Sequence, residues 1–340
     1  MPDAPAASDC VIALDVGGTG MKGAVLDRTL TPLETLRRPT PRSSGPDAVV
    51  DAIAAALCGL RDHAEARGLT VRSAGAAVPG IVDEAAGRAL HSANIGWSDL
   101  PLAALLGEAT GLPVALGHDV RAGGIAECRI GAARGALDAL FVPVGTGIAA
   151  AILCDGRPVR GLGHAGELGH VVAEPGGARC ACGSRGCLET VASAAAVAAA
   201  YTERSGRPVD GAARVAALVA RGDPVAVAVW DRAVDALASA LATVSTLLAP
   251  GLVVIGGGLA EAGDLLIEPL RDRLHERLTF QRGPDVVRAR LGDRAGCLGA
   301  GILAWEAAGS GPMAVGTEHG IDDEFRTTVS VEETHAPDPH

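Results

Sequence analysis

Between Gly166 and Glu189 the chain reads GELGHVVAEPGGARCACGSRGCLE, in which His170, Cys180, Cys182 and Cys187 have the types and spacing of a closed four-ligand metal site. Three thiolates and one imidazole suit Zn²⁺ far better than Mg²⁺ or Ca²⁺, which prefer oxygen. Gly176, Gly177, Gly183 and Gly186 let a short loop fold back on one ion. The competing account is a set of free or disulfide-paired cysteines. A site closed by four protein ligands has no open position for a reactive water, so its metal is a clamp. Glu167 and Glu189, at the two ends of the clamped segment, are then the carboxylates available for chemistry.

Four further segments carry polar groups in useful places. Leu14–Asp27, LDVGGTGMKGAVLD, puts Asp15 just before Gly17, Gly18 and Thr19, with Lys22 following. Such a turn presents successive N–H groups to a phosphate, Thr19 adds a hydroxyl, and Asp15 can orient hydrated Mg²⁺. Pro143–Ile148, PVGTGI, repeats that donor chemistry at Gly145, Thr146 and Gly147. Either turn alone could be an ordinary hairpin; two of them, one in each half of the chain, point to phosphate. Asp119 falls where a strand meets a helix, a place where α/β folds bind ligands and also a common place for a helix N-cap. Asn94, in HSANIGW, is a bidentate hydrogen-bonding side chain in a loop, suited to sugar hydroxyls or simply to a turn.

The elements that must position these groups follow from hydrophobic periodicity. Strands are expected at Val11–Val16, Lys22–Asp27, Leu33–Arg38, Ser73–Val78 and Pro113–Gly117. Asp47–Arg67 reads as an amphipathic helix stopped by Gly68, and Val120–Cys128 as the helix after Asp119. A second cycle begins at Ala139–Val144, with Ile148–Cys154 as its hairpin partner. Helices follow near Ser193–Arg204, Ala212–Ala220 and Pro224–Leu248. Strand Leu252–Ile255 then runs into Gly256, Gly257 and Gly258. Helices at Leu265–Leu278 and Ala295–Ala307 flank a strand at Val286–Arg290. Strand, glycine turn, strand, helix therefore occurs twice, which describes two similar lobes facing a cleft.

Composition narrows the setting. No apolar run reaches membrane-span length, and the first ten residues lack a signal-peptide pattern, which points to the cytoplasm. In that reducing compartment eight cysteines favour metal over disulfides. A net charge of −11 without a basic stripe argues against nucleic acid.

Taken together, LDVGGTGMKG, VPGIVD, SANIGW, GHDVRAGG, VGTGI, GELGHV with CACGSRGCLE, and VVIGGGL resemble the ROK family of repressors, open reading frames and sugar kinases. The resemblance runs from about Cys10 to Ala308 and implies a two-lobed actin-like (ribonuclease H-like) α/β ATPase fold with a central cleft and a zinc-stapled loop. It divides the chain into an N-terminal lobe over 1–119, a C-terminal lobe over 120–294, a helix over 295–308 returning to the first lobe, and a disordered acidic tail over 309–340.

The resemblance implies an ATP-dependent kinase acting on the 6-hydroxyl of a hexose, glucose above all. It implies Asp119 as the catalytic base and Gly80, Asn94, His118, Glu167, His170 and Glu189 as sugar contacts. His170 would touch the sugar with one ring nitrogen and zinc with the other. Gly17–Thr19, Lys22 and Gly145–Gly147 would meet the ATP phosphates, Mg²⁺ would accompany them, and Gly256–Gly258 would line the adenosine site unless they serve only helix–strand packing. The family forms dimers or larger homo-oligomers.

Its other members phosphorylate N-acetylglucosamine, N-acetylmannosamine or fructose, or act as sugar-sensing regulators, which carry an N-terminal DNA-binding domain. Polyphosphate as donor would call for a basic track. Two departures stand out: His118 where the family commonly has Asn, and Ala149–Ala151 where it commonly has glycines. If His118 faces the sugar, its protonation near the ordinary histidine range should shape the acid side of the pH profile.

Overall fold

The computed structural model describes residues 8–309, so the tail expected over 309–340 lies outside the described residues except for Gly309. The chain opens with β1 (Asp9–Val16), β2 (Gly20–Leu26) and β3 (Pro32–Pro39), a meander whose first turn is the Gly17–Thr19 segment. Helix α1 (Pro46–Ala66) starts with Pro46 in its first turn and buries Val49, Ile53, Leu57 and Leu60 on one face. Strand β4 (Thr70–Val78) follows. A small antiparallel sheet of β5 (Ile81–Asp83), β6 (Arg88–His91) and β7 (Ser98–Leu100) then leads to α2 (Leu102–Thr110) and β8 (Val114–His118). The small sheet and α2 are elements that periodicity does not reveal, being only three to nine residues long.

Helix α3 (Asp119–Ile130) begins the second half, with β9 (Ala139–Pro143), β10 (Ala151–Cys154) and β11 (Arg157–Pro158) as its meander. Helices α4 (Glu189–Ala192), α5 (Ala194–Ser205), α6 (Ala212–Val219) and α7 (Pro224–Leu248) precede β12 (Leu252–Gly256). The described chain ends with α8 (Asp264–Arg277), β13 (Asp285–Arg288) and α9 (Ala295–Ala307).

The two five-stranded sheets are copies of one another in order and direction. The first runs β3-β2-β1-β4-β8 and the second β11-β10-β9-β12-β13. In each, the first three strands are antiparallel and the last three parallel. The expected hairpin over 148–154 is shorter than the sequence suggests: β10 starts only at Ala151, after a single bridge between Val144 and Ile148. The reason is that Ala150 donates its N–H to Gly166 O at 2.7 Å, so this stretch pairs with the metal-loop entrance instead of with β9.

Each sheet has a conventional apolar core on its outer face. Helices α1 and α2 cover the first sheet, and α5 to α8 cover the second. The inner faces share α3 and α9. Helix α9 lies on β1, β4 and β8 and crosses α3, while α3 also rests on β9 and β10. That layer is thin because it is built from glycine and alanine. A Cβ placed on Gly299 would stand 2.0 Å from Ala122 O, and one on Gly75 would stand 2.0 Å from Ala300 O. Gly299→Ala should therefore lower stability by about 1–3 kcal/mol or more, read as a fall in Tm, because backbone and not a flexible side chain must give way.

Candidate active site

Two carboxylates meet at the carboxyl ends of the first sheet. Asp15 lies near the end of β1, paired across the hairpin with Lys22. The start of α9 closes over it, since a Cβ on Gly296 would stand 2.7 Å from the Asp15 carboxylate. Burial raises the Asp15 pKa to about 6, opposed by Lys22 and reinforced by Asp293. Asp119 opens α3 directly after β8, with its side chain 29% exposed although protein surrounds it on most sides. Its pKa is raised to about 7, first by that burial and then by the negative charge of Asp15. Glu167 adds to the rise, while the Val120 N–H and Arg121 oppose it. Asp119 is thus coupled to Asp15 on one side and to Glu167 of the second half on the other.

Helix capping falls to His118, not to Asp119. The His118 Nδ1 accepts from Arg121 N at 3.4 Å, with β-region dihedrals at His118, and Asp119 occupies the first helical position. His118 is 8% exposed, and burial together with the Arg121 charge drives its pKa down to about 3. The expectation of a titration near the ordinary histidine range is therefore corrected: the ring stays neutral through the working range of most enzymes.

Sequence reasoning passed over the charges that hold this corner. Glu84, after β5, accepts from Arg121 Nε at 2.8 Å, from Arg160 Nε at 2.5 Å and from His118 N at 3.4 Å. Those donors hold its carboxyl below the usual range against the cost of burial. Arg121 also donates to Gly163 O and Val82 O at 3.3 and 3.5 Å. The signal was present in VPGIVD and GHDVRAGG: a carboxylate just past one and an arginine amid small residues in the other.

The glycine segments take their expected places at strand ends. In the first turn Gly17 N donates to Gly20 O at 2.9 Å, and Thr40 secures the turn through Gly17 O at 2.7 Å and Thr19 O at 3.2 Å. Lys22 is not free: its Nζ donates to Asp293 O at 3.1 Å, and Asp293 also pairs with Arg37 at 2.7 Å. In the second turn Gly145 N donates to Gly147 O, and Gly145 O accepts from Ala194 N at the start of α5. Gly256–Gly258 join this turn, because Val144 exchanges hydrogen bonds with Gly256 O and Leu259 N at 2.9 and 3.0 Å. A cavity of about 100 Å³ borders Gly258, lined also by Ala212, Ala216, Trp230 and Glu261. The alanines at 149–151 do not line that cavity; Ala150 and Ala151 are buried, Ala151 against Gly124 of α3.

On the other side, Glu167 and His170 sit together with His170 Nε2 3.8 Å from Glu167 Oε2. The opposite ring nitrogen, Nδ1, lies 3.6 Å from Cys180 Sγ, and Cys182 Sγ lies 3.6 Å from Cys187 Sγ. All four donor atoms fall within 4.8 Å of one another, and none of the eight cysteines forms a disulfide. Bonds of about 2.3 Å to sulfur and about 2.0–2.1 Å to nitrogen give tetrahedral edges of roughly 3.5–3.8 Å, so these residues fit zinc. The loop is tied down by Leu188 N to Val171 O at 2.8 Å and by the pair that its Glu174 makes with Arg232 on α7. Gly166, at φ +100, is obligatory, since a Cβ there would stand 1.9 Å from Ala150 O.

Glu189 reaches the second turn, accepting from Ile148 N through Oε2 at 3.0 Å. Gly80 lies two residues past Val78, the last residue of β4, which is in register with His118 of β8. Asn94 is exposed at the tip of a turn closed by Gly96 N to Ser92 O at 2.7 Å. That turn leans on Gly80 through His91 and Ser92, and no hydrogen bond joins Asn94 to the other candidate residues.

Two five-stranded sheets of the same order and direction, each followed by its own helices, make an actin-like α/β fold. The ROK family model matches residues 11–307, and the chain belongs to that family. It is 34% identical over 311 residues to a glucokinase from Halalkalibacterium halodurans, covering 86% of this chain and 94% of that one. It is also 34% identical over 295 residues to an N-acetylmannosamine kinase from Citrobacter koseri, covering 86% and 98%. The crystal structure of a ROK family glucokinase from Streptomyces griseus in complex with glucose and AMPPNP matches with a TM-score of 0.77 and 30% identity, over 87% of this chain and 99% of that one. These likenesses support an ATP-dependent sugar kinase. Among the described residues no helix is long and apolar enough to cross a membrane.

Proposed function

We propose that this chain transfers the γ-phosphoryl group of ATP to the 6-hydroxyl of a hexose, with glucose as the acceptor. The observation that carries this reading is Asp119: a carboxylate at the start of α3 raised to about 7 by burial, with Asp15 of the first half and Glu167 of the second adding to the rise. A base of that pKa accepts a hydroxyl proton near neutral pH and is not locked in its ionised form. The sugar O6 loses its proton to Asp119 and forms a bond to the γ-phosphorus, while the bond to the β-phosphate oxygen breaks and ADP leaves.

Gly17–Thr19, Lys22 and Gly145–Gly147 would hold the phosphates through N–H, hydroxyl and ammonium donors, and Gly256–Gly258 would admit the adenosine. Asp15, beside the first turn, would orient hydrated Mg²⁺, which supplies charge neutralisation on the phosphates when bound. Gly80, Asn94, His118, Glu167, His170 and Glu189 would form the sugar side, with His118 serving mainly through the helix it caps. His170, Cys180, Cys182 and Cys187 would hold a structural Zn²⁺, which fixes the His170 ring and the positions of Glu167 and Glu189. Eight reduced cysteines suit the cytoplasm, and a homodimer or larger homo-oligomer is the assembly proposed.

A coupled ADP-release assay over glucose, fructose, N-acetylglucosamine and N-acetylmannosamine tests the substrate. Glucose should give the highest kcat/KM; the likeness to an N-acetylmannosamine kinase makes that amino sugar the second reading, and a preference for it would replace glucose. In the same assay kcat/KM should fall as pH drops below about 7, because protonated Asp119 cannot accept the O6 proton. His118→Asn should leave that acid limb in place. A limb that moves with His118 would show that the imidazole, and not Asp119, titrates there.

A further inference from the structure

Arg121 is the only arginine or lysine buried among the described residues, at 1% exposure. A guanidinium out of water is costly unless its donors are matched, and here two separate parts of the chain, 82–84 and Gly163, supply the acceptors. Glu84 receives Nε at 2.8 Å, Val82 O of β5 receives Nη2 at 3.5 Å, and Gly163 O beyond β11 receives Nη1 at 3.3 Å. Glu84 is itself 9% exposed and takes a second cation from the far side, Arg160, which is 53% exposed. Gly163 packs directly on β5, a Cβ there standing 2.7 Å from Val82 O. The small sheet that carries the Asn94 turn, the first turn of α3 that carries Asp119, and the 160–163 segment of the second half thus meet at one ion-paired cluster. Asp119 and Arg121 lie two residues apart on that first turn, and Glu84 also receives the N–H of His118, immediately before Asp119.

We propose that Arg121, with Glu84 as its counter-charge and Arg160 as the outer member, is a positioning residue that locks the sugar-side wall of the cleft to the helix bearing Asp119. The idea rests on the sugar-kinase reading above and adds residues that act through Asp119 and through the small sheet without touching the reacting atoms. Because the cluster's hydrogen bonds run to Val82, Glu84, His118 and Gly163 and to neither glycine turn, its loss should fall on the sugar and on turnover and spare the nucleotide.

The test is steady-state kinetics with separate titrations of sugar and ATP for wild type, Arg121→Lys, Arg121→Met, Glu84→Gln and Arg160→Ala, with Tm measured alongside. Arg121→Met should lower kcat roughly 10²-fold, the size of effect that a displacement of about 1 Å near the chemistry produces. It should raise sugar KM and leave ATP KM within about twofold, and Arg121→Lys, which keeps the charge but not the fork, should recover part of the loss. Should Arg121→Met fail to fold, Arg160→Ala decides, since that side chain is half in solvent. It should raise sugar KM by roughly three- to tenfold at nearly unchanged Tm and ATP KM. Wild-type sugar KM in Arg160→Ala and Glu84→Gln, or equal rises in both KM values, would overturn the proposal. Wild-type turnover on any hexose decides the kinase reading separately, so the two failures are distinct.

Discussion

Asp119→Asn is expected to lower kcat by roughly 10²–10⁴-fold, equivalent to about 3–5 kcal/mol of transition-state stabilisation, while sugar and ATP still bind. The substitution keeps size and hydrogen-bonding capacity and removes only the proton acceptor. Helix α3 should survive it, because the cap at its N-terminus is the His118 ring and Asp119 merely occupies the first helical position. Tm close to wild type with turnover nearly abolished is the combined result that identifies a base. Near-normal kcat would leave Asp119 a helix residue beside Asp15 and direct attention to Glu167, which adds to its negative surroundings.

The second large effect is expected from the metal loop. Protein purified without added zinc should carry about one Zn per chain, as one closed four-ligand site dictates. Cys182→Ser, at the exposed corner of the cluster, should lose that ion without adding bulk to the core. The loop then keeps only its backbone ties, and His170, Glu167 and Glu189 lose the common anchor that orients them. Removal of groups that orient such ligands typically costs about 10–100-fold in affinity or activity, and sugar KM should rise in that range together with a drop in Tm. Because Glu189 accepts from Ile148 N beside Gly147, ATP KM should rise too, though less. Metal-free protein that is folded and fully active would refute the clamp.

Much of this was legible before any coordinates. The paired glycine turns, the strand-to-helix step at Asp119 and the His/Cys loop are local patterns, and local patterns carry to the structure almost unchanged. What could not be read were consequences of long-range packing. Ile148–Ala150 has the apolar character of a strand, yet its N–H groups face Gly166 and Glu189, more than fifteen residues away. His118 next to an aspartate looks like a titrating pair until β8 and α3 bury it. Glu84 and Arg121 are 37 positions apart, and no periodicity links them. Short elements such as β5 to β7 exist because neighbours hold them, so their residues advertise turns more than strands.

The placement of α9 governs how this chain can be made. Val11, Ala13, Ala24, Leu26 and Ala77 of the first sheet are buried in a cluster with Ala295, Leu298, Ile302 and Trp305, from the last helix of the described chain. A ribosome delivers the whole first sheet long before it delivers that helix. At about 5–20 residues per second, the roughly 180 residues between β8 and α9 take on the order of ten to thirty-five seconds to emerge. Throughout that interval the nascent first lobe presents an apolar sheet face that α3 covers only in part, while the opposite face is already sealed by α1 and α2. Vectorial synthesis therefore produces a half-finished lobe that is sticky on one side only, the state most open to chaperone capture or aggregation. Completion of this lobe waits for α9 to lie down on the first sheet.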